Sequence, residues 1–203
     1  MLAAPSFAYR LPDTDQRKCY QAVDPYAEIP CAGTGQDGAY IQNPLNYTDN
    51  HDGTVTDNNT GLVWEKFDDW APYNWYQASG TYDAILNPET TDACGSLNLG
   101  GATDWRLPSK KELFSIVDAA IPYPGPTINP VFTNTVRSGY WSSTSSASST
   151  SDAWVVSFHG GSVYGYPKNV AQYVRCVRGE DTSGPNLIAN SNGTVTDSRT
   201  GLI

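Results

Sequence analysis

The chain is nearly without histidine. His51 and His159 are the only two in 203 residues, and a single methionine accompanies them. Histidine is the usual general base and a common metal ligand near neutral pH, so its scarcity weighs against acid–base and metal chemistry. Neither histidine stands in a serine, cysteine or metal motif. There is no G-x-S-x-G elbow, and the serines from Ser142 to Ser151 read as a flexible polar loop rather than as a nucleophile. No C-x-x-C pair occurs, and no histidine lies near a cysteine, which argues against zinc. Calcium is the remaining metal to weigh. Asp49, Asn50, Asp52, Asp57 and Asn58 lie close together, but their spacing is not that of the D-x-[DN]-x-[DN]-G loop with its distal Glu, and turn side chains explain them better. The expectation is therefore no enzyme, no catalytic residue, no metal and no cofactor.

Positive charge is also scarce. Twelve Lys and Arg face 21 Asp and Glu, a net charge of -9, and no cations cluster in the sequence. That disfavours nucleic acid and, on average, anionic polysaccharide, with Arg175, Arg178 and Lys168 as a local basic patch that could escape the average. No segment approaches the roughly 20 apolar residues of a membrane span, so the protein is not expected to cross a membrane as a helix.

What is abundant is Gly, Pro, Ser, Thr and Asn. With only 16% charged residues, 39% hydrophobic and 12% aromatic, the composition fits one loop-rich extracellular domain with a real core. The opening MLAAPSFA (1–8) reads as the remnant of a secretory signal peptide, with small residues before Tyr9. Four cysteines in an exported chain then imply two disulfides, for which three connectivities exist.

The organising stretch is Gly101–Leu113, GATDWRLPSKKEL. Ser109 and Glu112 have the S-x-x-E spacing of a capping box, which starts a helix near Lys110. Leu113, Ile116, Val117 and Ala120 share one face of that helix, and Pro122 and Pro124 stop it. Pro108 holds Trp105, Arg106 and Leu107 extended. An Arg between Trp and Leu points to an ion pair or a backbone clamp.

DWRLPSKKEL, followed by YWSSTS, AWVVSF and YVRCVRG, resembles the bacterial Lcl C-terminal-like domain, named after a collagen-like adhesin. RLPSKKEL also echoes a run in the formylglycine-generating enzyme. That enzyme acts through a late pair of cysteines, whereas Cys176 is the only late cysteine here, so its activity is not carried over. The resemblance implies a C-type-lectin-like, α+β fold, with two helices packed on a small antiparallel sheet and long loops. Of the three connectivities we favour Cys19 with Cys31, stapling a Pro-rich leader, and Cys94 with Cys176, tying the region before the RLP segment to the last strand. The resemblance puts the second bridge in the same place.

The resulting map has a stapled leader (9–47), the Lcl C-terminal-like domain (48–179), a linker (180–190) and the start of a truncated second copy (191–203). The last assignment rests on GTVTDSRTGL at 193–202, which repeats GTVTDNNTGL at 53–62 in eight of ten positions. A 140-residue period is domain-sized, beyond those of solenoids. Asn50–Trp64 is a hairpin signal, and Trp70–Leu97 is expected to be mainly helical though broken at Gly80 and Asn87-Pro88. Strands are expected at Tyr140–Ser142, Ala153–Phe158, Ser162–Tyr166 and Gln172–Val177, with Trp141 and Trp154 in the core.

In lectin-like domains the loops and one sheet face recognise ligands, and the resemblance points to 141–152 and 159–169. Tyr164 and Tyr166 alternate onto one face, and such rings can stack on a sugar. The candidate ligand-binding set is Tyr140, Ser142, Asp152, His159, Tyr164, Tyr166, Lys168 and Asn169. The expected function is an exported adhesin-like domain that binds an extracellular glycan or protein. The alternative is a structural subunit of a surface fibre, formed by self-assembly.

Overall fold

The computed structural model describes residues 12–180, 187–198 and 202–203. The signal-peptide remnant, most of the linker and three positions of the repeat lie outside them. In chain order the strands are β1 Cys19–Tyr20, β2 Glu28–Ile29, β3 Tyr47–Asp49, β4 Thr54–Asp57, β5 Val63–Glu65, β6 Gly139–Ser145, β7 Asp152–Ser157, β8 Val163–Pro167, β9 Val177–Arg178, β10 Leu187–Ala189 and β11 Val195–Asp197. The α-helices are α1 Trp75–Ser79 and α2 Lys110–Ser115. Among the described residues no helix is long and apolar enough to cross a membrane.

This is a mostly β protein, which corrects the expected α+β, C-type-lectin-like arrangement of two helices on one sheet. Among the described residues eleven strands form four small antiparallel sheets, ordered β1-β2, β3-β4-β5-β9, β6-β7-β8 and β10-β11. Side-chain-to-backbone hydrogen bonds account for the missing helix in Trp70–Leu97, because they offer the chain an alternative to the helical ladder. The Asn87 amide donates to the carbonyls of Tyr76, Thr81 and Thr91, and its oxygen accepts from the Thr91 amide. Asp83 caps Ile85 and Leu86 in the same way. Gly80, with φ +68°, ends α1 after five residues. The second helix also stops early, since the Ser115 hydroxyl takes the Glu112 carbonyl and Val117 already bridges to Ile128. Leu113, Ile116 and Val117 are still buried, as their spacing requires.

The capping box forms as expected: the Glu112 amide donates to the Ser109 hydroxyl, and the Ser109 amide donates to the Glu112 carboxylate. Arg106 forks onto both oxygens of that carboxylate, and its backbone pairs with Val177 in both directions. The helix start is thereby locked to the β9 edge. The indole N–H of the buried Trp105 is shared between the Leu99 and Ala102 carbonyls.

Strand β7 separates two cores. Val156, with Phe158 just beyond the strand, enters a cluster containing Val55, Leu62, Trp64, Leu113, Ile116, Phe132 and Tyr140. Ala153 and Val155 enter the other, with Trp75, Trp105, Leu107, Trp141 and the Cys94–Cys176 disulfide. Burying a large apolar side chain is worth about 1.5–3 kcal/mol, so Trp64 and Trp141, both fully buried, anchor one core each. Trp154 is not a core residue: it is half-buried on the far face of β7, with the Lys110 amino group 4.0 Å from its ring centre.

Both favoured disulfides form, Cys19–Cys31 and Cys94–Cys176. The first closes the β1–β2 hairpin of the leader. The leader reaches the domain through the Ala119 amide, which donates to the Thr14 carbonyl at 2.9 Å.

Candidate functional site

The β8 strand, where it rims the second core, holds the most coherent group of binding-type side chains. Tyr164 lies opposite Val155 and Tyr166 opposite Ala153, so both rings stand on the same side of the sheet. They meet edge to face at 6.0 Å, and Tyr166 lies 6.4 Å from the ring of the buried Trp141. Tyr164 keeps 36% of its surface exposed. Partial burial raises its pKa, which keeps the phenol protonated and able to donate a hydrogen bond.

Gly139 makes room for this arrangement. A Cβ at that position would stand 2.5 Å from Gln172 Oε1, 2.6 Å from Val155 Cγ1 and 2.9 Å from the Tyr164 hydroxyl. Gln172 therefore lies beside Tyr164. Its backbone pairs in both directions with Tyr73, and the Tyr73 hydroxyl donates to Asp69. One residue on from Asp69 in the chain, Trp70, 63% exposed, is held by its indole N–H on the Asn134 carbonyl and by its amide on Asp68. Its φ of +59° is unusual for a bulky residue, and such backbone strain tends to collect at working surfaces.

Lys168 fixes the end of β8. Its amide donates to the Ser151 carbonyl, its carbonyl accepts from the Trp75 amide, and its amino group donates to the Thr150 carbonyl while lying 4.1 Å over the Trp75 ring. Asp152 and the exposed Asn169 flank it, Asp152 being paired with Pro167 across the strands.

Three proposed ligand residues do not join this group. Tyr140 is fully buried, its hydroxyl donating to Asp68 and accepting from the Val136 amide. Ser142 is also fully buried, its hydroxyl donating to the Trp154 carbonyl. Tyr140 is packed in the first core in ring contact with Phe158 and Tyr173, and the Tyr173 segment also pairs with the open edge of β6. His159 is in the turn at the opposite end of β7, about 20 Å along the strand from Asp152. There its ring lies 4.7 Å from that of Tyr123.

The supposed basic patch is absent. Arg175 is fully buried, donating to the carbonyls of Glu65 and Lys66 and to the Thr135 hydroxyl, with its guanidinium against Phe132 and Tyr140. Arg178 is paired with Asp104. Near Arg175, burial pushes the Glu65 carboxyl up to about 7, although it accepts from the Cys176 amide, and also raises Asp68. The turn acids weighed for calcium are engaged locally: Asp49 with Lys66 at 2.6 Å, Asp52 with Thr54, and Asp57 with Thr60. Among the described residues no group of three His, Cys, Asp or Glu is placed to hold a metal.

Sequence reasoning missed Trp70, Trp75 and Gln172. The dense aromatic run from Trp70 to Tyr76 was the available signal, but it was absorbed into an expected helix. No curated protein matches the chain. The Lcl C-terminal domain family model matches residues 53–178, the span that holds both cores, the RLP helix start and the β8 face. The chain thus belongs to the Lcl C-terminal domain family.

Proposed function

We propose that this is an exported, non-catalytic ligand-binding domain, adhesin-like in use, which recognises an extracellular glycan or protein through the β8 face. The carrying observation is the Tyr164–Tyr166 pair, Tyr164 exposed and Tyr166 part-buried, in ring contact and backed by buried Trp141. Rings held in place in this way lose little freedom when they bind, and each combines an apolar face with a polar tip. Gln172 adds a directional amide beside Tyr164. Two disulfides support export, since such bonds persist in oxidising compartments. They also occupy every cysteine, which takes thiol chemistry away from the site.

The test is a glycan array, followed by titration of any hit, with the intact chain and with Tyr164→Ala/Tyr166→Ala. The reading predicts saturable binding that the double variant loses while its thermal unfolding stays cooperative. Binding undiminished in that variant would overturn the assignment to this face. Concentration-dependent assembly without any ligand would favour a structural subunit instead.

A further inference from the structure

The β10–β11 hairpin reproduces the strand register and the Asn, Asx and Thr hydrogen bonds of the β3–β4 hairpin at an offset of 140 residues. Tyr47, Thr48 and Asp49 pair with Asp57, Thr56 and Val55, and Leu187, Ile188 and Ala189 pair with Asp197, Thr196 and Val195 in the same register. The Asn50 amide donates to the Thr54 carbonyl at 3.1 Å, and the Asn190 amide to the Thr194 carbonyl at 2.9 Å. The Asn50 side chain donates to the hydroxyls of Thr54 and Thr56, and the Asn190 side chain to those of Thr194 and Thr196. Asp52 and Asn192 each accept from the amide and hydroxyl of the threonine two residues on. The Asp57 amide donates to the Leu62 carbonyl and the Asp197 amide to the Leu202 carbonyl, each at 2.9 Å.

The two hairpins differ in what covers them. Val55 is 0% exposed and Tyr47 packs edge-on against Phe132 at 5.1 Å, whereas their counterparts Val195 and Leu187 are 48% and 61% exposed. Sequence has nevertheless kept an apolar residue at each position. A local turn needs its Asn, Asp and Thr hydrogen bonds, but it has no use for Leu187 and Val195 on one face unless something packs there. In the first hairpin the covering groups are Phe132, Trp64, Ile116 and Val177.

We infer that the Leu187–Val195 face is the docking face for a second unit of the same fold carried by the same polypeptide, in which this hairpin takes the place of β3–β4. The partner surface has the chemistry of the first unit's core: an aromatic side chain opposite Leu187 and branched aliphatic side chains opposite Val195.

The experiment uses the natural polypeptide, comparing wild type, Val195→Asp, Val195→Ala and Val55→Asp by calorimetry and hydrogen exchange. The wild type should show two unfolding transitions. Val195→Asp should abolish one and Val55→Asp the other, while Val195→Ala should lower the midpoint of its own transition only. The Asp197 amide should be protected to within about tenfold of the Asp57 amide. A single transition indifferent to both Val195 variants would overturn the inference, as would an Asp197 amide exchanging at the rate of a free hairpin. A transition whose midpoint rises with protein concentration would also overturn it, since the cover would then come from another molecule. None of these readouts depends on ligand binding, so the β8 proposal and this one can fail separately.

Discussion

Arg106 and Glu112 meet as a two-pronged ion pair, Nη2 to Oε1 at 2.7 Å and Nη1 to Oε2 at 2.9 Å, with the carboxylate almost wholly buried. The same carboxylate caps α2 through the Ser109 amide. One side chain thus joins a helix start to an edge of the four-stranded sheet.

Glu112→Ala should be costly, because it leaves a part-buried guanidinium without its anion and the Ser109 amide without an acceptor. A loss of about 3 kcal/mol is expected, read as a lower urea midpoint at unchanged slope. Arg106→Lys keeps the charge but not the fork, and should lose about 1–2 kcal/mol. A Glu112→Ala midpoint equal to wild type would show that the pair is replaceable.

The two disulfides should be unequal. Cys94–Cys176 closes a separation of 82 residues, for which chain entropy gives about 4–5 kcal/mol, and it lies inside a core. Cys94→Ala/Cys176→Ala should therefore lower the main melting transition strongly. Cys19→Ala/Cys31→Ala removes a bridge across a separation of only 12, for which the same relation gives about 3 kcal/mol, and should free the leader to proteolysis while moving that transition less than the first pair does. Equal effects on the main transition would contradict this division.

Glu65 gives a pH dependence of definite sign. Its folded pKa of about 7 stands above the ordinary 4.5, so the folded protein holds a proton that the unfolded chain releases. Its contribution is complete below pH 4.5 and is lost as pH rises through 7. Relative to Glu65→Gln, the wild type should lose on the order of 3 kcal/mol between pH 4.5 and pH 8. Parallel stability curves for the two proteins would refute it.

Gly139→Ala tests the packing beneath Tyr164. The new methyl meets Val155, a core side chain, and must also displace Gln172 or Tyr164. Destabilisation of about 1–3 kcal/mol is expected, together with a changed Tyr164 environment seen by near-ultraviolet dichroism or NMR. An unaltered tyrosine signal would show that the Tyr164 ring does not depend on that gap.

The parts of this fold that were legible in the sequence are those set by short-range chemistry. Ser109 and Glu112 announce a helix start, Asp52-Gly53 a turn, and Tyr164 and Tyr166 a shared strand face, because each depends on spacing alone. Asn87 was not legible as the hub of its loop, since its partners Tyr76, Thr81 and Thr91 converge only once the chain has closed around it. Tyr140 and Ser142 were misread as surface residues for a related reason. Their strand is covered on both faces and along its outer edge by the distant Tyr173 segment, so period-two alternation carries no information there. Arg175 looked like a solvated cation in RCVR and is instead the polar centre of one core.

Because β7 is a party wall between two separately filled rooms, side chains along it answer alternately to one and then the other. The serine-rich turn before it is moored only at its end, where Lys168 holds the Thr150 and Ser151 carbonyls, so its middle can vary in length and chemistry while the wall stands. Relatives that greet different molecules should therefore differ first in that turn and around Tyr164 and Tyr166, and last along Ala153 to Val156.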